Sequence, residues 1–462
     1  MASLRRINQE DLRNHNLSVV LDTLLRAEKP ISRADLAKET GLTKATLSLL
    51  ASMLIDSGVV QEGESVVSTT YGRPSTPLEI HGGSIAGIGL QINTDGYGCL
   101  ALDLNGDTLG QEWVSEDMTG TDPYEIFAKL DAMTFPLESR LKRRGCKVVG
   151  AGLALPGIVT DDMWLLVARN LGWENVNLTR FNVVRRLDVV AGNEAKMAAI
   201  AQIPGYATER ASFLNVVDRT DSFIYLSTDI GVGGAVVRDG EVVMGSHGFA
   251  GEIGHLSVAM DGPLCSCGRH GCLEAFAGRR ALVEAAGIAE DGDATSSEAI
   301  DTFLQRWRAG DPDVAKVVDQ AADALVSAIA STVNLVDVDT VLLGGLWTHF
   351  GDELATVLEG RLRSEILGYP NVKIRVFVPP VALHPSLYGA AEMGLRRFIE
   401  NPLGYTWGRS SAGRCCLLCW RVHGMGAWRV CRRWWVHATL CKLAVLRSER
   451  GAVAQSVRAC DS

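Results

Sequence analysis

Apolar and polar residues follow two different periods along this chain, and the change of period divides it. The first segment repeats its apolar residues at the three- and four-residue spacing of one helix face, at Leu17, Val20, Leu21, Leu24 and Leu25. From Ile85 the period shortens, and IAGIGLQIN, GCLALDLNGD and TLGQEWVS predict three successive strands joined by turns. The pattern therefore predicts a helical N-terminal domain, residues 1–80, before an α/β body, residues 81–400.

Turn and cap residues predict two further helices in the N-terminal domain. Ser32 and Thr43 are typical helix N-caps, and Gly41 between them suits a tight turn. A short helix, a glycine turn and a third helix make the helix-turn-helix pattern. At about 100° per residue, the third helix has one apolar face, formed by Leu47, Leu50, Ala51 and Leu54. The opposite face carries Ala45, Ser48, Leu49 and Ser52, with Lys44 and Thr46 on the flanks.

The segment VVQEGESVVSTTYGRPSTPLEI predicts two short strands and a loop in which Arg73 stands between Gly72 and Pro74. This is the arrangement of a winged helix-turn-helix, and an arginine at a loop tip suits a narrow minor groove. We predict DNA contacts from Thr43, Lys44, Ala45, Thr46, Ser48 and Arg73. Overall charge does not favour DNA, because residues 1–80 hold nine basic and ten acidic side chains. A plain helical subdomain is therefore the alternative.

The body repeats one order of elements. A helix over about 122–143 leads to the strand KVVGAGLALPG. Later, SFIYLSTDIGVGGAVVRDGEVVMG predicts strands, residues 311–336 predict a long helix, and VDTVLLGG predicts a buried strand. Two α/β lobes of like topology that face each other predict a cleft for a small molecule.

One loop-rich stretch, GEIGHLSVAMDGPLCSCGRHGCLEAFAG, gathers His255, Cys265, Cys267 and Cys272. The chain starts with no signal-peptide pattern, so we expect a reducing cytoplasm, where clustered cysteines favour metal over disulfides. Three thiolates and one imidazole complete a tetrahedral Zn²⁺ site with no open position, which predicts structural zinc. His270 lies between two of the cysteines and is the rival fourth ligand. Metal-free cysteines are the other alternative.

The last 62 residues differ from the rest in composition. They hold six of the 11 cysteines and ten basic against two acidic residues, whereas residues 1–400 hold 35 basic and 52 acidic residues. Stretches such as RCCLLCWRVHGMGAWRVCRRWWVH follow neither the helical nor the strand period. We interpret residues 401–462 as an aberrant, unstructured tail. A zinc knuckle or a membrane-associated tail is the alternative, although no apolar run there reaches the ~20 residues of a membrane span.

Several motifs together resemble the ROK family, in its xylose-repressor-like branch. They are GFAGEIGH, the C-x-C-x4-C spacing of CSCGRHGC, the trailing LE and the helix-turn-helix in front, with ALPGIV, NLGW, GNEAKMAA, VLLGG and YGAAEMG between residues 12 and 398. The family comprises bacterial sugar kinases and related repressors on an actin-like (ribonuclease H-like) sugar-kinase fold. The resemblance implies His255 as the fourth zinc ligand. It also implies sugar contacts from Asn193, Glu194, Glu252, His255 and Glu274.

The kinase motifs of that family are altered here. Gly89 stands where the phosphate loop has an aspartate, and Gln91, Ile92 and Asn93 replace its Gly-Gly-Thr turn, so we expect Ile92 to obstruct a phosphate. Glu194 occupies the position of the general base, and its extra methylene shifts the carboxylate by about 1 Å. The glycine loop TDIGVGGA persists. We therefore expect no catalytic residue, with Glu194 a degenerate base.

These observations predict a sugar-responsive transcriptional repressor, and an ATP-dependent sugar kinase with a DNA-binding head is the alternative. The expected partners are operator DNA and a monosaccharide effector, with no membrane. Helix-turn-helix heads read half-sites ~34–36 Å apart, so we expect a homodimer or homotetramer.

Overall fold

The computed structural model of the protein describes residues 8–27, 29–63, 76–203, 217, 221–289 and 294–406. The predicted loop that contains Arg73 and most of the predicted tail lie outside the described residues. The chain divides into two compact units, Met1–Leu403 and Gly404–Ser462. Structure extends slightly past Glu400: the backbone N–H of Leu403 donates to Asn14 Oδ1 (3.1 Å), and Leu403–Thr406 form a short helix.

Three helices and a small antiparallel sheet form the N-terminal part. The helices are α1 (Gln9–Arg26), α2 (Arg33–Thr40) and α3 (Lys44–Asp56), and the strands are β1 (Ile31–Ser32), β2 (Val60–Glu62) and β3 (Pro77–Ile80). The strand order is β1-β3-β2. Val60 pairs with Ile80 and Glu62 with Leu78, so the strands predicted on either side of the Arg73 loop are antiparallel neighbours.

Side-chain caps begin the helices where the sequence predicts. The backbone N–H of Asp35 donates to Ser32 Oγ, and that of Thr46 donates to Thr43 Oγ1, each at 3.2 Å. Between the two helices Gly41 adopts φ = 69°, a conformation that glycine reaches without strain. The faces of α3 are also confirmed: its apolar face is buried, and Ala45, Ser48, Leu49 and Ser52 are exposed.

The first lobe of the body is built on a five-stranded sheet in the order β11-β7-β4-β5-β6. Its strands are β4 (Ile85–Asn93), β5 (Gly96–Asp103), β6 (Thr108–Ser115), β7 (Lys147–Leu155) and β11 (Val189–Asn193). Helices α4 (Pro123–Arg143) and α5 (Asn182–Arg186) pack on one face. A second sheet holds β8 (Ile158–Val159), β9 (Trp164–Ala168) and β10 (Trp173–Asn177).

The second lobe repeats the five-stranded plan, in the order β14-β13-β12-β15-β16. The strands are β12 (Phe223–Thr228), β13 (Val232–Arg238), β14 (Glu241–Val242), β15 (Thr340–Gly345) and β16 (Arg375–Phe377). The helices are α7 (Glu274–Ala277), α8 (Arg279–Ala285), α9 (Ser297–Arg308), α10 (Pro312–Val336) and α11 (Gly351–Glu365). The prediction of two α/β lobes is confirmed.

Two helices, α6 (Glu194–Ile200) and α12 (Pro385–Glu400), connect these parts. A Cβ at Gly89 would lie 2.1 Å from the carbonyl oxygen of Leu387, so α12 rests on β4 at a distance that only glycine permits. Gly389 brings α12 equally close to α6, because a Cβ there would lie 1.7 Å from Met197 O. At its other end, the carbonyl of Glu400 accepts hydrogen bonds from two side chains of α1, Asn14 Nδ2 and Ser18 Oγ (both 3.1 Å).

Candidate functional site

The four predicted metal ligands meet at one point. The ligand atoms of His255, Cys265, Cys267 and Cys272 all lie within 4.8 Å of one another. His255 Nδ1 is 3.7 Å from Cys265 Sγ, and the Sγ atoms of Cys267 and Cys272 are also 3.7 Å apart. Tetrahedral zinc with Zn–S bonds of ~2.3 Å separates its ligand atoms by ~3.8 Å. The donor set and its spacing therefore fit a zinc ion.

The metal loop, residues 255–272, is held by short backbone bridges. Ser257 pairs with Cys272 and Leu264 with His270, and the N–H of Cys265 donates to Arg269 O (2.8 Å). His270 Nδ1 lies 3.1 Å from Gly262 O, outside the thiol cluster. Of the two candidate histidines, the structure brings His255 to the cysteines.

One thiol of the loop is biased towards the thiolate. Burial raises the pKa of Cys267, but the hydrogen bond from the backbone N–H of Arg269 and those with Cys265 and Cys272 outweigh burial, and the pKa lies below its ordinary value. The thiolate is the form that binds metal.

Glu274, the first residue of α7, ties the metal loop to the second lobe. Its Oε1 accepts a hydrogen bond from Ser266 Oγ (2.8 Å), and its Oε2 accepts one from the backbone N–H of Val232 (3.2 Å). A Cβ at Gly231 would lie 2.2 Å from Glu274 Oε2, so the carboxylate fills the space beside that glycine. This residue therefore holds the metal loop against β13, whatever further contact it makes.

Asn193 and Glu194 lie side by side at the start of α6 but have different surroundings. Asn193 Oδ1 accepts from the N–H of Ala195 (2.9 Å), and its Nδ2 donates to Gly157 O (2.9 Å), so the amide caps the helix and holds a neighbouring turn. Burial, with the nearby charges of Asp229 and Asp95, raises the pKa of Glu194 to about 8. Its carboxyl is therefore mostly protonated at neutral pH.

Glu252 and His255 lie at the other side of the same region. The N–H of His255 donates to Glu252 O (3.1 Å) across a short 3-10 turn. Glu252 is exposed, but partial desolvation of its carboxyl raises its pKa, while the nearby charges of His255 and Lys196 lower it. Because Lys196 belongs to α6, this interaction relates the metal loop to the helix that carries Asn193 and Glu194. We call the five predicted sugar-contact residues the interlobe site: Asn193, Glu194, Glu252, His255 and Glu274.

The strand β4 differs from the predicted phosphate loop. It continues as regular strand through Asn93, and Ile92 is fully buried in the apolar core of the first lobe. The expected obstruction by Ile92 is therefore wrong, because strand alternation turns its side chain into the core of the first lobe, on the face of β4 opposite to α12. Gln91 points to the opposite face, is 4 % exposed, and its Oε1 has no hydrogen-bond partner among the described residues.

Three carboxyl side chains, those of Asp95, Glu194 and Asp229, form a cluster. Asp95 follows β4, and Asp229 belongs to the glycine loop TDIGVGGA. Burial and the charge of Asp95 raise the pKa of Asp229. Arg279 crosses between the lobes: its Nη1 lies 3.3 Å from Asp95 Oδ2, and its backbone N–H donates to Asp229 O (3.3 Å). Negative charge on Asp95 and Asp229 would repel a phosphate group placed beside them.

Sequence reasoning missed three of these residues, Asp95, Asp229 and Arg279, together with Lys196. The aspartate in TDIGVGGA was a visible signal, since a carboxylate in a phosphate loop is unfavourable. For Arg279 there was none, because its partner Asp95 is 184 residues away in the chain.

The family model described as ROK matches residues 88–396 of this chain. The chain belongs to the ROK family. Among its relatives are a xylose repressor of Caldicellulosiruptor bescii, 28 % identical over 386 residues (80 % of this chain, 93 % of the relative), and a xylose repressor of Bacillus subtilis, 25 % identical over 283 residues (60 % and 69 %). An N-acetylmannosamine kinase of Salmonella typhi is 28 % identical over 251 residues, covering 53 % of this chain and 82 % of the kinase.

Solved structures show the same fold. A ROK family transcriptional regulator, described as a homologue of the E. coli MLC protein, aligns with a TM-score of 0.69 at 24 % identity and covers 86 % of this chain and 99 % of its own. A ROK glucokinase from Streptomyces griseus aligns with a TM-score of 0.55 at 23 % identity, over 67 % and 99 %. In this ROK protein, no helix of the described residues has the length and apolar character to cross a membrane.

Proposed function

We propose that this ROK protein is a sugar-responsive transcriptional repressor. Residues 1–80 would form a winged helix-turn-helix DNA-binding domain, and residues 81–400 a two-lobed domain that binds a monosaccharide. One observation carries the proposal: the four candidate metal ligands lie together, whereas the acidic side chains of Asp95 and Asp229 lie close to each other at the glycine loop that follows β12. The protein would therefore sense a sugar without phosphorylating it.

The exposed side of α3 supports DNA binding. Thr43, Lys44, Ala45 and Ser48 are exposed, and Thr46 is half-buried at the start of the helix. Small side chains on an exposed recognition helix allow its backbone to enter the major groove closely. Arg73, which lies outside the described residues, is proposed to contact the adjacent minor groove.

For the sugar we propose contacts from Glu194, Glu252, His255 and Glu274, with Asn193 shaping the site through its cap. Carboxylates accept hydrogen bonds from the hydroxyl groups of a polyol. We propose that His255, Cys265, Cys267 and Cys272 hold a structural zinc ion, which would fix the metal loop and so the positions of Glu252 and Glu274 on either side of it.

The relatives support a repressor over a kinase. The match to the xylose repressor of Caldicellulosiruptor bescii covers 80 % of this chain, more than the body alone, whereas the match to the kinase covers 53 %. The additional length is consistent with a DNA-binding domain shared with the repressors.

A route for the signal is present in α12. The helix packs closely against α6, the helix of Glu194, and its C-terminal carbonyl holds α1 of the N-terminal part through Asn14 and Ser18. Movement of α6 on sugar binding would therefore reach the DNA-binding domain directly. We propose that sugar releases operator, and that the protein works as a homodimer or homotetramer in the cytoplasm.

An ATP-dependent sugar kinase is the second candidate, favoured by the glutamate at the base position and by the glycine loop that follows β12. Incubation with ATP, Mg²⁺ and a panel of hexoses and pentoses separates the two. We expect no sugar-dependent release of ADP. Release of ADP on the order of 1 s⁻¹ or faster, which is a typical enzymatic rate, would establish the kinase.

The repressor is tested by DNA binding. Selection from random duplexes should yield an operator with two half-sites, and fluorescence anisotropy should then show weaker binding when the effector sugar is added. Binding that ignores every monosaccharide would contradict sugar control.

A further inference from the structure

Lys196 is a buried lysine that the metal loop and the carboxylate cluster leave unexplained. It lies in the first turn of α6, and its side chain and backbone together are only 3 % exposed. Lysine is almost never fully buried unless it is paired, because the ammonium loses its hydration. A buried lysine beside a ligand-binding residue therefore requires a partner.

The protein supplies one such partner. Lys196 Nζ donates a hydrogen bond to the carbonyl oxygen of Gly248, in the segment that leads to Glu252. A Cβ at Gly248 would lie 3.3 Å from Val159 O and 3.7 Å from Asp161 Oδ1, so the Asp161 carboxylate borders the same segment. Lys196 thus joins α6 to the chain on the opposite side of the interlobe site.

Within the part of the chain that the structure describes, the ammonium of Lys196 has no second hydrogen-bond acceptor. A protonated lysine has three N–H donors, and the bond to Gly248 uses one. Burial lowers the pKa of Lys196, and the nearby charges of Glu252 and Asp161 partly offset this effect. Among the described residues, however, neither carboxylate forms an ion pair with Lys196 within 4.0 Å. As far as the described residues go, two donors therefore remain for a bound molecule.

The residues around Lys196 restrict what that molecule is. The carboxylate oxygens of Glu252 and Glu274 accept hydrogen bonds, and the Asn193 amide already binds the protein at both ends. A sugar hydroxyl needs acceptors for its proton and donors for its oxygen. An anionic sugar would meet the negative charges of Glu252, Asp161 and Glu274, so a neutral monosaccharide fits better.

We infer that Lys196 is a specificity-determining residue of the interlobe site: its ammonium donates to one hydroxyl oxygen of a neutral monosaccharide while Glu252 accepts from the adjacent hydroxyl. This inference rests on the proposed sugar-sensing function and adds the donor half of the recognition. The competing role is purely structural, in which Lys196 only anchors the segment at Gly248.

Monodeoxy sugars distinguish the two roles. The neutral monosaccharide that most stabilises the full chain against heat is chosen first, and calorimetric titration then compares it with each of its monodeoxy analogues. We expect Lys196→Met to weaken binding of the parent sugar by about 10–100-fold, as for loss of a hydrogen bond to a charged group. For the single analogue that lacks the hydroxyl bound by Lys196, wild type and variant should bind equally.

Controls separate folding from recognition. Lys147→Met, at the far end of β7, should leave every affinity unchanged, and sugar-free operator binding should be the same in all variants. If Lys196→Met does not fold, Lys196→Gln keeps one donor for Gly248, and the same equal binding of one analogue is expected.

An equal loss for every analogue, or no loss for the parent sugar, would overturn the inference and leave sugar sensing intact. A wild-type protein that binds no monosaccharide would overturn both.

Discussion

The two sides of the interlobe region, one at the metal loop and one at the glycine loop that follows β12, differ in what they could bind. On one side, four candidate metal ligands lie within 4.8 Å of one another, and Glu274 ties their loop to β13. On the other side, β4 continues as a regular strand through the residues predicted to form the phosphate loop. Asp95 and Asp229 lie nearby, and Arg279 contacts the side chain of Asp95 and the backbone of Asp229. Ligand binding needs only a few acceptors and donors, whereas phosphoryl transfer needs metal, phosphates and base aligned together. A fold can therefore keep the first while losing the second.

The metal side should be the more sensitive to damage. Cys267→Ser removes one of the four proposed ligands, so we expect loss of one zinc per chain, a clear fall in melting temperature and at least a tenfold loss of sugar affinity, because Glu252 and Glu274 flank the metal loop. Elemental analysis and thermal denaturation measure these effects. Cys146→Ser, a buried cysteine of the first lobe, should keep the metal. Equal zinc content in Cys267→Ser and wild type would rule out the site.

Glu252 tests whether the metal side is also the sensor. Glu252→Gln keeps the shape but removes an acceptor charge, so operator binding without sugar should be unchanged while the sugar response is lost. Sugar and operator affect each other by the same factor, typically 5–150-fold, or about 1–3 kcal/mol. Anisotropy titrations of operator with and without the effector sugar measure that factor. A full response in the variant would locate the sensor elsewhere.

Asp229 tests the other side. Asp229→Asn removes a negative charge beside the glycine loop. We expect the wild type to bind Mg²⁺–ATP analogues very weakly and the variant to bind them several-fold more tightly, because the phosphates are then repelled less. Calorimetry with a non-hydrolysable ATP analogue measures this. Asp239→Asn, on the β13–β14 turn, is the matched control. Tight nucleotide binding by the wild type would remove the contrast between the two sides.

Glu194 gives the smallest expected effect, a pH dependence. Its pKa of about 8 in the folded protein exceeds the ordinary value of ~4.3. Between these values the folded state binds more protons, so this carboxyl's stabilising contribution is complete below pH ~4.3 and is lost as pH rises through about 8. Relative to Glu194→Gln, the wild type should lose on the order of 2 °C in melting temperature between pH 5 and 9. Parallel pH profiles would show that Glu194 titrates normally.

Local features of this protein were predictable because each depends on neighbours in the chain. Ser32 and Thr43 cap helices through N–H groups three residues away, and Leu47, Leu50 and Leu54 are buried by the helical period alone. The strand Ile85–Asn93 follows equally from its composition. The prediction about Ile92 failed because a family motif was taken as a loop, while the strand period that buries its side chain was not applied.

The amino-acid sequence by itself determined the elements, their caps and the identity of the metal-ligand candidates, since short-range sterics and periodicity act within a few residues. Only the tertiary structure decided which histidine joins the cysteines, since His270 is nearer in sequence but is turned towards Gly262. It alone also brought Arg279 to Asp95 and Lys196 to Gly248. Those pairs come from separate elements, and their contacts arise from how two sheets and two helices pack, which no local period encodes.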